Sequence, residues 1–292
     1  MRMSRLRKAD ILYIKRRVLL SILVVALSVS IWLPMFAVKM TNHHYREISD
    51  GQCNVSLLLP SNRPITALIS DECSGGEWMR YLLEMATGVY TGSTEHNKDI
   101  FNNGFLGEME DWNSGTTLLV HKRNQDMEED NHFDAVVLVI RNPYSVLLCE
   151  RTREVTGQFT DLASADDIMK RDSETEQDWN EFVTWHVTRW QDTMTSSLTV
   201  ETSLLVVRYE DLEEDAEREI LRIMQFLNTT VDEERLQCLW ENVENRNINR
   251  FDAPEVMKMY SDELREIVDK NIQSVSAILE SIGSDPVKII TH

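Results

Sequence analysis

With 292 residues and 42% hydrophobic content, the chain can bury one medium to large core, and its formal net charge of −19 disfavours nucleic acid and polyanions such as long sulfated glycans. The four cysteines, Cys53, Cys73, Cys149 and Cys238, have no C-x-x-C spacing, which argues against zinc or thioredoxin-like chemistry and leaves three full disulfide pairings open. No metal site is expected, and the pair His43 and His44 reads as solvated.

Residues 1–17 form a basic tail in which Arg2, Arg5, Arg7, Lys8, Lys15, Arg16 and Arg17 face only Asp10. Residues 18–38, VLLSILVVALSVSIWLPMFAV, carry no charge and at helical rise span a bilayer core of roughly 30 Å, so they are predicted to be one transmembrane signal-anchor helix. A cleaved signal peptide is the rival; the run is longer than the usual h-region and no small-x-small site closes it. The basic flank precedes the span, which predicts a cytoplasmic N-terminus and a lumenal C-terminal domain, a single-pass type II topology. The sequons at Asn54 and Asn228 agree with that orientation. Residues 39–62 read as a stem, 63–285 as the lumenal domain and 286–292 as a tail.

Residues 65–70 are an apolar run of strand length, followed by the small residues Ser74, Gly75 and Gly76. Trp78, Tyr81, Leu82, Met85 and Ala86 then recur at helical spacing up to Gly88, a residue suited to close a helix. A strand–loop–helix junction of this kind offers unpaired N–H groups and the positive end of a helix to an anion. No G-x-x-x-x-G-K-[ST] is present and no Lys follows the glycines, which weakens a kinase or ATPase reading.

Further apolar runs at 116–120, 135–140 and 203–207 do not alternate, which predicts parallel strands buried on both faces of a three-layer α/β sandwich. Ligands of such sheets sit at strand carboxyl ends, so residues 71–77, 121–123, 141–142 and 208–211 are the ones to inspect. Arg141 closes the third run; its guanidinium suits a phosphate, and its structural alternative is to pair or cap carbonyls. His121 and Lys122 follow the second, and an imidazole of ordinary pKa suits general-base work. Glu150, Arg151 and Arg153 read as the solvated face of the next helix, and 160–173 as a polar loop. Trp179, Phe182, Trp185 and Trp190 make an aromatic helix better explained by core packing than by ligand stacking. Helices are predicted at 213–227, at 232–243 with Thr230 and Glu233 as its capping box, and at 261–282, ended by Gly283.

The stretch Glu72-Cys73-Ser74-Gly75-Gly76-Glu77-Trp78, followed by Arg80-Tyr81-Leu82, Ala86-Thr87-Gly88 and Tyr90-Thr91-Gly92-Ser93, resembles the 5′-phosphosulfate loop of sulfotransferases. The likeness is greatest to the WSC domain-containing sulfotransferase-like proteins, whose loop reads Pro-Gly-Ser-Gly-Asn-Thr-Trp; no cysteine-rich region of the WSC kind is expected here. Ser74, Gly75 and Trp78 match, whereas Glu72, Cys73, Gly76 and Glu77 depart, and position 77 loses a hydroxyl that the family sets on the cofactor phosphate. Arg141-Asn142-Pro143-Tyr144 matches the strand end whose Arg meets the 3′-phosphate, but Cys149 replaces the Ser that follows eight residues later. His121-Lys122-Arg123 stands where relatives have Lys-Thr-His, so Arg123 replaces the base and His121 is its nearest substitute. Arg208-Tyr209-Glu210-Asp211-Leu212 matches a structural motif, and Arg250 a late basic segment on the cofactor.

The resemblance implies an α/β fold with a P-loop-like phosphosulfate-binding turn, preceded by the transmembrane helix. It further implies a Golgi sulfotransferase with 3′-phosphoadenosine 5′-phosphosulfate as co-substrate, bound by Ser74, Gly75, Gly76, Trp78, Arg141 and Arg250. Sulfuryl would pass to a hydroxyl or amine of an unknown glycan, protein or small-molecule acceptor, with His121 and Lys122 as catalytic candidates. Glu77, Arg123 and Cys149 support the alternative of a membrane-anchored pseudoenzyme that keeps the fold as a binding or scaffolding module.

Overall fold

The structure, a computed structural model, describes residues 54–123, 132–157, 163–170, 178–243 and 253–289. Five strands form one sheet in the order β2-β3-β1-β4-β5: β1 (Thr66–Ser70), β2 (Gly92–Ser93), β3 (Val120–Arg123), β4 (Ala135–Ile140) and β5 (Ser203–Arg208). Every pairing is parallel, with Leu68 opposite His121 on one side and Val137 on the other. The apolar runs do not alternate because both faces are covered. Leu68, Val137, Val139 and Val207 pack against α1 (Gly76–Thr87), which follows a short loop after β1, and against later helices of the same layer. Ala67, Ile69, Val136, Leu138 and Ile140 face the opposite layer. The result is the expected helix–sheet–helix sandwich.

The remaining helices are α2 (Lys98–Asn102), α3 (Pro143–Thr156), α4 (Ala165–Met169), α5 (Trp179–Leu198), α6 (Tyr209–Glu214), α7 (Ala216–Phe226), α8 (Glu233–Val243), α9 (Ala253–Lys258) and α10 (Asp262–Ser281). Ile220 and Ile223 of α7 and Leu239 of α8 join the α1 layer; Trp190 and Met194 of α5 and Val275 of α10 make the other. Trp179 and Phe182 of α5 pack with Tyr144 and Leu147 of α3, and Trp179 Nε1 donates to the Met259 carbonyl at 2.7 Å.

Several boundaries differ from expectation. The strand expected at 116–120 lies at Val120–Arg123, because the carbonyls of Thr117 and Leu118 are taken by the Arg63 guanidinium (2.5 and 2.8 Å) and the ladder to β1 starts at Val120. The helix expected at 213–227 breaks at Asp215, whose side chain accepts the Arg218 N–H and starts α7. Asp232, not Thr230, opens α8, its carboxylate taking the Glu234 and Arg235 N–H groups. Within the polar segment 160–173, Ser164 caps the short α4. Within the expected tail, Val287 is buried and the Lys288 carbonyl accepts from Asn142 Nδ2 at 2.8 Å, whereas Pro286 and Ile289 are exposed.

No described helix is long and apolar enough to cross a membrane. The expected span 18–38, the tail 1–17, most of the stem and Arg250 lie outside the described residues.

Candidate active site

At the carboxyl end of β1 the chain turns through Asp71 to Gly75 into α1. Cys73 (φ 58°) and Gly75 (φ 91°) are left-handed, and the turn closes on itself where the Asp71 carbonyl accepts the Ser74 N–H (3.2 Å). Gly75 leaves no room for a side chain: a Cβ there would lie 2.4 Å from the Tyr209 ring. At Gly76 it would meet Ser70 Oγ at 2.2 Å and His121 Nε2 at 2.9 Å. The glycines therefore let the backbone approach β3 and α6, as a phosphate-binding turn requires. Ser74 is fully buried with its hydroxyl near the Glu72 carbonyl, and Trp78 packs edge-on against Tyr209, centroids 5.5 Å apart.

The loop is tied down from several sides. A disulfide joins Cys73 to Cys149 of α3, Cα atoms 6.0 Å apart. Cys149 is thus a crosslink where the resemblance implies a phosphate ligand, and Cys238 is also disulfide-bonded. Arg141 Nη1 donates to the Cys73 carbonyl at 2.7 Å, and its Cζ lies 4.1 Å from the Tyr209 ring centroid. Glu72 pairs with Arg153 of α3 and, at 3.0 Å, with Arg123 of β3. Because α1 and α3 leave adjacent strands toward different layers, the crevice between β1 and β4 is the switch point where α/β sheets bind ligands, and the disulfide spans it.

The positive end of α1 already has an anion. Glu77 pairs with Arg123 at 3.5 Å, and Arg123 also holds Glu72 (3.0 Å) and Glu95 (3.1 Å). Burial alone would raise the Glu77 carboxyl, but the residue's own backbone N–H, Arg123 and Arg80 hold it below the ordinary range. His121 lies inside β3, its Nε2 2.8 Å from Ser70 Oγ, and burial pushes it down to about 3 against the pull of Glu77. It is a neutral imidazole at physiological pH. Lys122 is buried on the other face of the strand, its Nζ 5.9 Å from the Phe133 ring centroid, so strand alternation parts it from His121.

The best-matched motif residues are structural. Arg80 is buried; its Nε donates to Thr91 Oγ1 (2.8 Å) and Nη1 pairs with Glu108 (2.7 Å). Glu84 accepts from both the backbone and the hydroxyl of Thr91 (2.8 and 2.6 Å). This network fixes the lead into β2.

Sequence reasoning missed a second polar cluster beside the loop. Glu150 and Arg151, expected on a solvated face, are buried; Arg151 donates to the Ile168 and Lys170 carbonyls. Glu150 bonds Arg189 (2.7 Å) and His186 Nδ1 (2.8 Å) of α5. Burial pushes Glu150 up to about 8, although Arg189 opposes it, and burial with Arg189 pushes His186 down to about 4. The spacing of Glu150 from Leu147 and Val146 on one helix is the sole sequence signal for its burial.

A sulfotransferase domain is matched over residues 134–274. Curated relatives include WSCD family members of Drosophila pseudoobscura pseudoobscura (31% identical over 63% of this chain and 57% of the relative) and of Aedes aegypti (28%, 80% and 70%). A further member, from Drosophila melanogaster, is 30% identical over 70% of this chain and 62% of its own length. The chain therefore spans less than two thirds of the length of two of these relatives. Among solved structures, mouse sulfotransferase SULT7A1 complexed with PAP aligns with a TM-score of 0.41 and 13% identity, over 75% of this chain and 86% of that one. A sulfotransferase from Alicyclobacillus acidocaldarius gives 0.37 and 14%, over 77% and 98%.

Proposed function

We propose that the chain, whose residues 134–274 match a sulfotransferase domain, acts as a member of that family and binds 3′-phosphoadenosine 5′-phosphosulfate at the turn 71–77 for transfer of sulfuryl to an acceptor hydroxyl or amine. The observation that carries this reading is the convergence of the Gly75–Gly76 backbone, at the start of α1, with the Arg141 guanidinium, 2.7 Å from the Cys73 carbonyl. The backbone and Arg141 suit a phosphate; Glu77 opposes one. When bound, the donor supplies the sulfuryl group. This chain supplies a helix N-terminus, a guanidinium and a rigid turn, which act by orientation and charge.

The domain is, on this proposal, the lumenal part of a type II membrane protein of the Golgi, anchored by residues 18–38. The Cys73–Cys149 disulfide fits an oxidising compartment, and the sequon residues Asn54 and Asn228 are both exposed.

Glu77 and the disulfide across the crevice favour a second reading, a binding or scaffolding module with an impaired donor site. Calorimetric titration of the full chain with the donor separates the two. Saturable heat in wild type, lost in Arg141→Ala with unchanged circular dichroism, is the expected result. Absence of heat in both wild type and Glu77→Thr selects the module.

A further inference from the structure

Arg141, the guanidinium best suited to a phosphate, is itself enclosed, at 5% exposure. Its Cζ lies 4.1 Å from the Tyr209 ring centroid, and its Nη1 donates to the Cys73 carbonyl at 2.7 Å. A phosphate arriving from outside reaches it only after something that covers it moves. The Tyr209 ring is hemmed in by Gly75 and Trp78, which leaves the turn as the part to move. The residue of the turn that touches Arg141 is also the one that carries a crosslink. Cys73 is bonded to Cys149 of α3, Cα atoms 6.0 Å apart, so a covalent and a hydrogen-bonded closure meet on one residue.

On either side of Cys73 the turn has anchors of its own. Glu72 pairs with Arg153 of α3 and with Arg123 of β3, the latter at 3.0 Å. The Asp71 carbonyl accepts the Ser74 N–H at 3.2 Å, and the Gly75 carbonyl accepts the Met79 N–H at 2.9 Å. None of these contacts involves the sulfur atoms. Cys73 itself stands at φ 58°, a left-handed backbone that residues with a side chain seldom adopt. With the crosslink cut, the anchors keep the turn attached to the sheet, and Cys73 is the residue that relaxes toward ordinary backbone angles and takes its carbonyl off Arg141.

We propose that the Cys73–Cys149 disulfide is a redox lock on the phosphate site, closed over Arg141 when oxidised and opened by a dithiol reductant. That the lock controls the phosphosulfate donor rests on the sulfotransferase reading; its hold on Arg141 does not. Cys73 is half-buried and Cys149 is 4% exposed, so an incoming thiolate meets Cys73 first. The thiolate, its proton lost to solvent, bonds to Cys73 Sγ; the S–S bond breaks, and Cys149 leaves as a thiolate that takes up a proton. The reductant's second thiol, likewise deprotonated, then closes the reductant's own disulfide and releases Cys73, which is protonated in turn. The cystine gains two electrons, and the dithiol loses them.

The test compares the full chain in detergent before and after dithiothreitol, with alkylation and mass spectrometry to verify reduction of Cys73 and Cys149. Cys73→Ser combined with Cys149→Ser isolates this bond from the other disulfide, that of Cys238. The first readout needs no donor: the rate at which phenylglyoxal modifies Arg141, followed by peptide mass. It should rise at least tenfold on reduction and be equally high in the double variant with or without dithiothreitol. The second is donor calorimetry, in which reduced wild type and the double variant should bind at least tenfold more tightly than oxidised wild type. Equal modification rates in the two redox states overturn the lock, and so does a donor affinity that reduction leaves unchanged or weakens. Circular dichroism supplies the remaining control: a domain that unfolds when Cys73 and Cys149 are reduced has a brace there, not a lock. Faster modification of Arg141 with no donor heat in any form sinks the donor reading and leaves the hold on Arg141 standing.

Discussion

The Tyr209 ring lies so close to the Gly75 backbone that a Cβ on that glycine would come within 2.4 Å of its Cδ2. The same ring lies beneath Arg141 and edge-on to Trp78, so three of the expected site residues are set by one aromatic of the following motif. Gly75→Ala adds a left-handed backbone at φ 91° to the collision. It should cost on the order of 1–3 kcal/mol from the backbone alone, read as a lower urea midpoint at unchanged slope. An unchanged midpoint would show that Tyr209 yields freely.

Glu77→Thr should tighten donor binding at least tenfold. Like charges about 4 Å apart cost on the order of 4 kcal/mol at an effective dielectric near 20, and partial exposure leaves only a fraction of that. The unliganded protein should lose roughly 0.3–1 kcal/mol of helix-dipole stabilisation. Titration of both proteins at equal ionic strength decides it; equal or weaker binding by the variant means that the site tolerates Glu77.

Replacing both Cys73 and Cys149 by Ser opens a crosslink that spans a sequence separation of 76. The expected loss is about 2–5 kcal/mol by denaturant unfolding. In excess dithiol the difference between variant and wild type should vanish, and a difference that persists there would assign the effect to packing.

Stability should fall as pH rises from about 6.5 to 8. Burial raises Glu150 to about 8, so between the unfolded and folded values the native state holds the extra proton and loses stability with rising pH. His186, lowered to about 4, acts in the opposite sense between pH 4 and 6.5, so the two effects cancel in part there and His186 no longer opposes Glu150 above it. The decline amounts to about 2 kcal/mol. Glu150→Gln should flatten it, and a wild-type curve level across this window would mean that Arg189 keeps Glu150 ionised.

The layers of the fold were legible where burial is uniform. β1 and β4 carry apolar runs covered on both faces, and α1 shows its period and its closing Gly88 plainly. β3 was misplaced by several residues because its polar residues find individual partners: His121 with Ser70, Lys122 over Phe133 and Arg123 among carboxylates. Local pattern carries no trace of such long-range pairing. Arg141 and the glycines were legible through a motif, whereas Glu150 meets His186 and Arg189 only through the packing of α3 against α5, and the Cys73–Cys149 bond forms only through the meeting of α3 with the loop.

The Asn142 side chain, which begins α3 by accepting the Tyr144 N–H, gives its Nδ2 to the carbonyl of Lys288. Lys288 itself pairs with Asp211 and Glu214, and Arg208 reaches Asp285. During synthesis the carboxyl edge of the sheet must therefore wait for residues 285–288 to leave the ribosome before its contacts close. Until then this seam stays open, and a chain cut short of residue 288 leaves the buried Asn142 amide at the end of β4 without that partner.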